Sequence, residues 1–217
     1  MIIYNKTTMK KLIIIITLLT IALFTVSAQG IYLDVGLGYG IGLSFADEVN
    51  VSDTLKESSE DFNELCVSGG LKLGIGPIAQ KPIYIVAAAG GFGHRFYDKE
   101  HNFQINTYYI GPGLIYYPFP FMQFALTGGY SFITNETTLT DFNIYNSKSG
   151  IGGEVSLALD LSRSRSGYLF GVSASAAQIT LENEEEDVKM LSTAFSAFIK
   201  YTFRQKYRKS AYAKDDS

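Results

Sequence analysis

IYLDVGLGYGIGLSF, residues 31–45, is the stretch that decides the fold. Its odd positions, Ile31, Leu33, Val35, Leu37, Tyr39, Ile41, Leu43 and Phe45, are all apolar or aromatic. Between them lie Tyr32, Asp34, Ser44 and the alternate glycines from Gly36 to Gly42. Successive side chains of a strand point to opposite faces, so the stretch reads as one strand with a greasy face and a small, polar face. A helix would scatter both sets around its circumference. At about 3.3 Å per residue the strand is about 50 Å long, far beyond the usual five or six residues of a soluble strand. The fold class turns on which of its two faces meets water.

Alternation of the same kind recurs along the chain. It predicts further strands over 65–76, 83–97, 103–119, 122–133, 150–161, 168–180 and 190–203, eight in all. In the third, AAAGGFG (87–93) is too rich in small residues to fix a parity. The prolines of YPFPF (117–121) mark a turn, since proline has no N–H to give to a ladder. The connections after the first and fifth strands are long, those after the third and seventh less so, and those after the second, fourth and sixth are short. All longer connections therefore fall at one end of an up-and-down barrel, the pattern of short periplasmic turns and longer extracellular loops.

The less apolar face separates a membrane barrel from a soluble one. A soluble barrel shows water a face rich in Lys, Glu, Asp, Gln, Thr and Asn, whereas here that face is Gly, Ser and Ala with a few charges. Such a face suits a narrow, filled interior. The apolar face is almost free of charge, as lipid contact demands. The predicted fold is an all-β, eight-stranded antiparallel up-and-down transmembrane β-barrel with a filled interior.

Residues 1–28 are a separate object. Lys10 and Lys11 precede an apolar run, Leu12 to Val26, and Val26-Ser27-Ala28 is a small-x-small site, so the segment reads as a cleaved secretory signal. The barrel domain then covers 29–203, and 204–217 is a polar periplasmic tail. Cleavage removes Lys6, Lys10 and Lys11 and no acid, leaving 15 basic against 21 acidic residues and a formal charge of −6. That balance gives no basic footprint for nucleic acid. Cys66 is the single cysteine, which excludes an intrachain disulfide. Gly36-x-Gly38-x-Gly40-x-Gly42 is strictly period two and leads into no helix, so it is not a nucleotide loop.

With this pattern in hand, the chain resembles the small outer-membrane β-barrel proteins of Gram-negative bacteria. The resemblance covers 29–203 and includes the ending SAFIKYTF (196–203), with Phe203 closing the last strand. It implies location in the outer membrane, outer-membrane lipid as a partner, folding by the outer-membrane assembly machinery, and a monomer. The function it implies is structural or adhesive, carried by the surface loops, and not that of an open pore. A lipid-modifying barrel enzyme is the alternative.

No strong catalytic, cofactor or metal constellation stands out. On the inward face, Asp34, Lys72, Asp160 and Lys200 are expected to form an ion-pair layer at the periplasmic end, with Asp34 reaching Lys200 across the closing seam, because buried charges survive only when paired. Arg95 and Glu154 are a further candidate pair, higher in the barrel. His94 and His101 are the only histidines, and His94 near the end of a strand is the residue on which an enzymatic reading would rest. The acidic segments DEVNVSDTLKESSEDFNE (47–64) and ENEEED (182–187) lack the spacing of a calcium loop and read as solvated.

Overall fold

A computed structural model describes residues 30–47, 49–51, 53, 63–79, 81–97, 102–137, 146–162, 166–182 and 187–204. Residues 1–29, most of both acidic segments, His101 and the chain beyond Arg204 lie outside the described residues, and with them the expected signal segment and tail. The alternating runs form long strands: β1 (Gly30–Ala46), β3 (Asn63–Gly76), β4 (Ile83–Tyr97), β5 (Asn102–Phe119), β6 (Met122–Thr137), β7 (Asn146–Asp160), β8 (Ser166–Glu182) and β9 (Val188–Arg204). Each pairs antiparallel with the next, and β9 pairs back with β1, so eight strands close into a ring. The first acidic segment, read as all loop, holds a two-residue strand, β2 (Val49–Asn50), folded back on Phe45 and Ala46. Proline chemistry acts as expected: Pro118 falls in the irregularity between Tyr116 and Phe119, where the β5–β6 ladder is interrupted.

Closure requires a stagger. From Gly36 the pairings lead through Gly70, Gly90, Tyr109, Ser131, Gly150, Ile179 and Met190. Met190 pairs across the seam with Ala46, so one circuit of the wall returns to β1 ten residues above its start, at 46 instead of 36. In a barrel such a displacement is the geometric partner of strand tilt, typically about 35–45°.

The seam explains the small face of β1. A Cβ on Gly40 would sit 1.9 Å from the Phe195 carbonyl oxygen and 2.6 Å from Ser196 Cα, and one on Gly36 would lie 2.4 Å from the Ile199 oxygen. Here β9 crosses so near to β1 that glycine alone fits.

Outside, the wall is apolar. Val35, Leu37, Leu71, Ile110, Leu126, Val155 and Val172 are exposed along its middle. Exposed aromatics gather near both rims. Tyr116, Phe119, Phe121, Tyr168, Tyr201 and Phe203 stand at the end of the short turns, and Tyr39, Tyr97, Tyr108 and Tyr130 stand toward the other. An aliphatic band between two aromatic girdles is the exterior of a barrel that crosses a bilayer. Inside, an apolar plug (Phe96, Phe103, Ile105, Ile133, Ile179 and Met190) fills the long-connection end. A tyrosine-rich cluster (Tyr32, Tyr84 and Tyr117 with Ile115) fills the other.

Two substitutions test this wall. Leu126→Arg, at mid-band on the lipid side, should destabilise the barrel by about 2–4 kcal/mol in equilibrium urea unfolding from vesicles followed by circular dichroism. Gly40→Val should prevent seam closure, read as loss of the fast-migrating folded band on an unboiled gel, whereas Ile41→Val, next door but facing outward, should leave that band intact.

Candidate functional site: a buried charge layer in the lumen

Period two carries four ionisable side chains inward just above the tyrosine cluster. Asp34, Lys72, Glu154 and Lys200 are all buried. Glu154 is the hub. Lys72 Nζ donates to its Oε1 at 3.0 Å and Lys200 Nζ to the same oxygen at 3.1 Å, while Tyr109 Oη donates to Oε2 at 3.3 Å. Lys72 and Asp34 face each other in the β1–β3 register and lie 3.9 Å apart, and Asp34 Oδ2 accepts from Tyr32 Oη at 2.8 Å. Lys200 Nζ also lies 3.9 Å from the centre of the Phe198 ring, a cation–π contact. Two ammonium groups against two carboxylates leave the layer formally neutral, the condition under which charges persist out of water.

A second pair closes the lumen at the terminus end. Arg204 Nε and Nη2 donate to Asp160 Oδ2 at 3.0 and 2.6 Å, and Nη2 also donates to the Pro120 carbonyl at 3.0 Å. The guanidinium stacks 3.7 Å from the centre of the Tyr117 ring. The Ser162 hydroxyl and backbone N–H donate to the other Asp160 oxygen. Between the two pairs, Gln123 Nε2 donates to both Tyr32 Oη and Tyr117 Oη at 2.8 Å.

This arrangement differs from the sequence expectation at three points. Asp160 is not in the layer with Asp34, Lys72 and Lys200; it belongs to Arg204, a residue the sequence reading placed in the tail. Arg204 continues the inward parity of Lys200 and Thr202, and that continuation is the signal that was available. The Arg95–Glu154 pair does not form. Arg95 points outward, donates from Nε to Asn102 Oδ1 at 2.6 Å and lies 5.3 Å from the centre of the Tyr97 ring, while Glu154 is taken by the two lysines. Nor do Asp34 and Lys200 meet as cross-strand partners: Thr202 stands opposite Asp34, and Lys200 opposite Gly36. Both nevertheless point into the lumen, on the same side of the wall.

His94, the residue on which an enzymatic reading would rest, is 1% exposed. It sits opposite Cys66 in the β3–β4 register, packs on Phe96 with ring centres 4.1 Å apart, and approaches Glu64 to 3.6 Å. Its ring lies on the inner side of the wall. Among the described residues no group of three His, Cys, Asp or Glu side chains is arranged to hold a metal ion.

No protein-family model matches the chain, and no curated protein does. Among solved structures it is similar to Ail, the attachment invasion locus protein of Yersinia pestis, at 9% identity, covering 81% of this chain and 99% of that one with a TM-score of 0.48. It is similar also to Neisserial surface protein A, at 11% identity over 78% of this chain and 95% of that one, TM-score 0.46. The outer membrane enzyme PagL matches at 11% identity over 79% and 99%, TM-score 0.38. The roles in those names belong to those proteins.

The hub makes a directional prediction. Glu154→Gln leaves Lys72 and Lys200 facing each other with one carboxylate between them, and should cost about 3–5 kcal/mol in urea unfolding. The triple variant Lys72→Met, Glu154→Leu, Asp34→Leu removes one cation and two anions, leaves Lys200 alone, and should be as damaging. Adding Lys200→Met to it should restore most of the loss, because no uncompensated charge remains in the layer.

Proposed function

We propose that the protein is an outer-membrane barrel with a structural or surface-adhesive role, exported by residues 1–28 and presenting its long connections outside the cell. The observation that carries this reading is the inversion of the wall: its outward face is a belt of exposed aliphatic and aromatic side chains, while Asp34, Lys72, Glu154, Asp160, Lys200 and Arg204 are buried in the lumen. An exterior of that kind belongs in hydrocarbon, where a closed ring also satisfies every backbone hydrogen bond. Three tiers of side chains occupy the lumen: the Arg204–Asp160 pair with its tyrosines, the Glu154 layer, and the apolar plug around Phe96. An eight-stranded ring so filled has no room for an aqueous channel, which argues against a pore. Specificity is then left to the surface connections, where binding residues collect on a rigid scaffold.

Fractionation with gel mobility and conductance tests the reading. The protein should partition with outer membranes, migrate faster unboiled than boiled, and give no conductance steps in planar bilayers. Replacing residues 47–62 and 138–145 by short turns should leave the folded band intact and abolish adhesion of expressing cells to host-matrix surfaces. A soluble, heat-insensitive periplasmic pool would overturn the membrane assignment, and stepwise conductance would overturn the closed lumen.

A further inference from the structure

On the outward face of β3–β5 the rows of side chains are interrupted. Gly69 on β3 and Gly91 and Gly93 on β4 stand where neighbouring outward positions carry Val, Leu, Tyr or Ile. The missing side chains leave a groove of about 850 Å³. Its floor is backbone, and its flanks are Val67 and Leu71 on one side and Tyr108 and Ile110 on the other. Those flanks belong to strands two steps apart, about 10 Å between backbones.

The groove has a polar head. Toward the long-connection end its lining passes to Arg95, Gln104 and Asn106. No lining residue is acidic. Among the described residues no carboxylate lies within ion-pair distance of Arg95, whose Nε is held by Asn102 Oδ1 and whose guanidinium is steadied beside Tyr97. Gln104 Nε2 donates to Asn106 Oδ1 at 2.6 Å, fixing the two amides beside it. From Arg95 down to Ala89 is six residues of strand, about 20 Å, or about 15 Å of depth at a tilt of about 40°. That is half of a hydrocarbon core about 30 Å thick, the depth of one leaflet.

We infer that this groove holds one acyl chain of an anionic, phosphate-bearing glycolipid of the outer leaflet, of the lipid A kind, with its phosphate on Arg95 and the amides of Gln104 and Asn106. The inference rests on the membrane reading above, which puts the Arg95 end at the outer surface. Charge selects the head group: a guanidinium that no carboxylate among the described side chains pairs with, at the boundary of a low-dielectric phase, is matched by the paired oxygens of a phosphate. Shape selects the chain, since apolar flanks over a glycine floor give an extended hydrocarbon close contact with backbone. Depth selects the leaflet. Below Ala87 the outward row of β4 fills again at Ile85, and Leu73 is exposed beside it on β3, so a chain from the opposite leaflet meets no groove.

The test is native mass spectrometry of the full-length mature barrel, folded first in phosphatidylcholine vesicles and extracted in mild detergent. Lipid A, phosphatidylglycerol and phosphatidylcholine are titrated separately. The wild type should retain one lipid A. Arg95→Gln should weaken retention about tenfold, the equivalent of one charge-assisted contact. Gly69→Leu should displace the lipid while the fold survives, since a Cβ there meets only the mobile Leu37 Cδ2, at 3.1 Å, and the Gly36 carbonyl oxygen, at 3.4 Å. Equal retention of lipid A by all three proteins, or retention of phosphatidylglycerol as tight as that of lipid A, would overturn the inference while leaving the membrane reading intact. Failure of the wild type to give a heat-modifiable band in vesicles would overturn the membrane reading and the groove assignment with it.

Discussion

Everything in this molecule depends on the β1–β9 seam. A sheet of eight strands with free edges would leave two rows of backbone N–H and C=O groups without partners in hydrocarbon, at several kcal/mol for each group. Pairing from Tyr32–Arg204 to Ala46–Met190 removes both edges. It does so only because β1 offers glycine where β9 crosses closest, at Gly36 and Gly40. The ten-residue stagger accompanies that closure, and with it come the tilt, the narrow bore and the levels at which inward side chains meet.

A narrow bore dictates the chemistry of its filling. In water, folding gains by burying apolar area, but here the apolar area stays outside and the interior is cohesive through polar pairing. The charges in the lumen have to be paired. Glu154 meets the demand by sharing one oxygen between two lysines on β3 and β9, the strands that flank β1, and Arg204 meets it by combining a carboxylate, a carbonyl and an aromatic face. The apolar plug at the far end is cohesive in the ordinary way, and His94 sits beside it as a buried ring against Phe96.

Strand existence and facing were legible in the sequence, because period two needs no tertiary information. Residues 31–45 carry it openly, and the inward parity of Asp34, Lys72, Glu154, Asp160 and Lys200 follows from it. Pairing among those residues was not legible, since it depends on the stagger. Counting residues from a strand end puts Asp160 level with Lys200, yet on a tilted wall Asp160 sits at the level of Arg204 and Glu154 comes within reach of the lysines. Arg95 was misplaced because AAAGGFG hides its parity; the structure keeps strict alternation through the glycines, with His94 in and Arg95 out. Arg204 was hidden by composition, since the polar run that follows it looks like the start of a tail.

The charge layer also bears on how the ring is put together. Asp34 and Lys72 stand on neighbouring strands and face each other in register. Glu154 and Asp160 both lie on β7, and their cationic partners Lys200 and Arg204 both lie on β9. Among the described residues, the first hairpin, β1–β3, and the last three-stranded meander, β7–β9, thus each carry one buried acid per buried base. The Lys72–Glu154 contact joins these two blocks across the lumen.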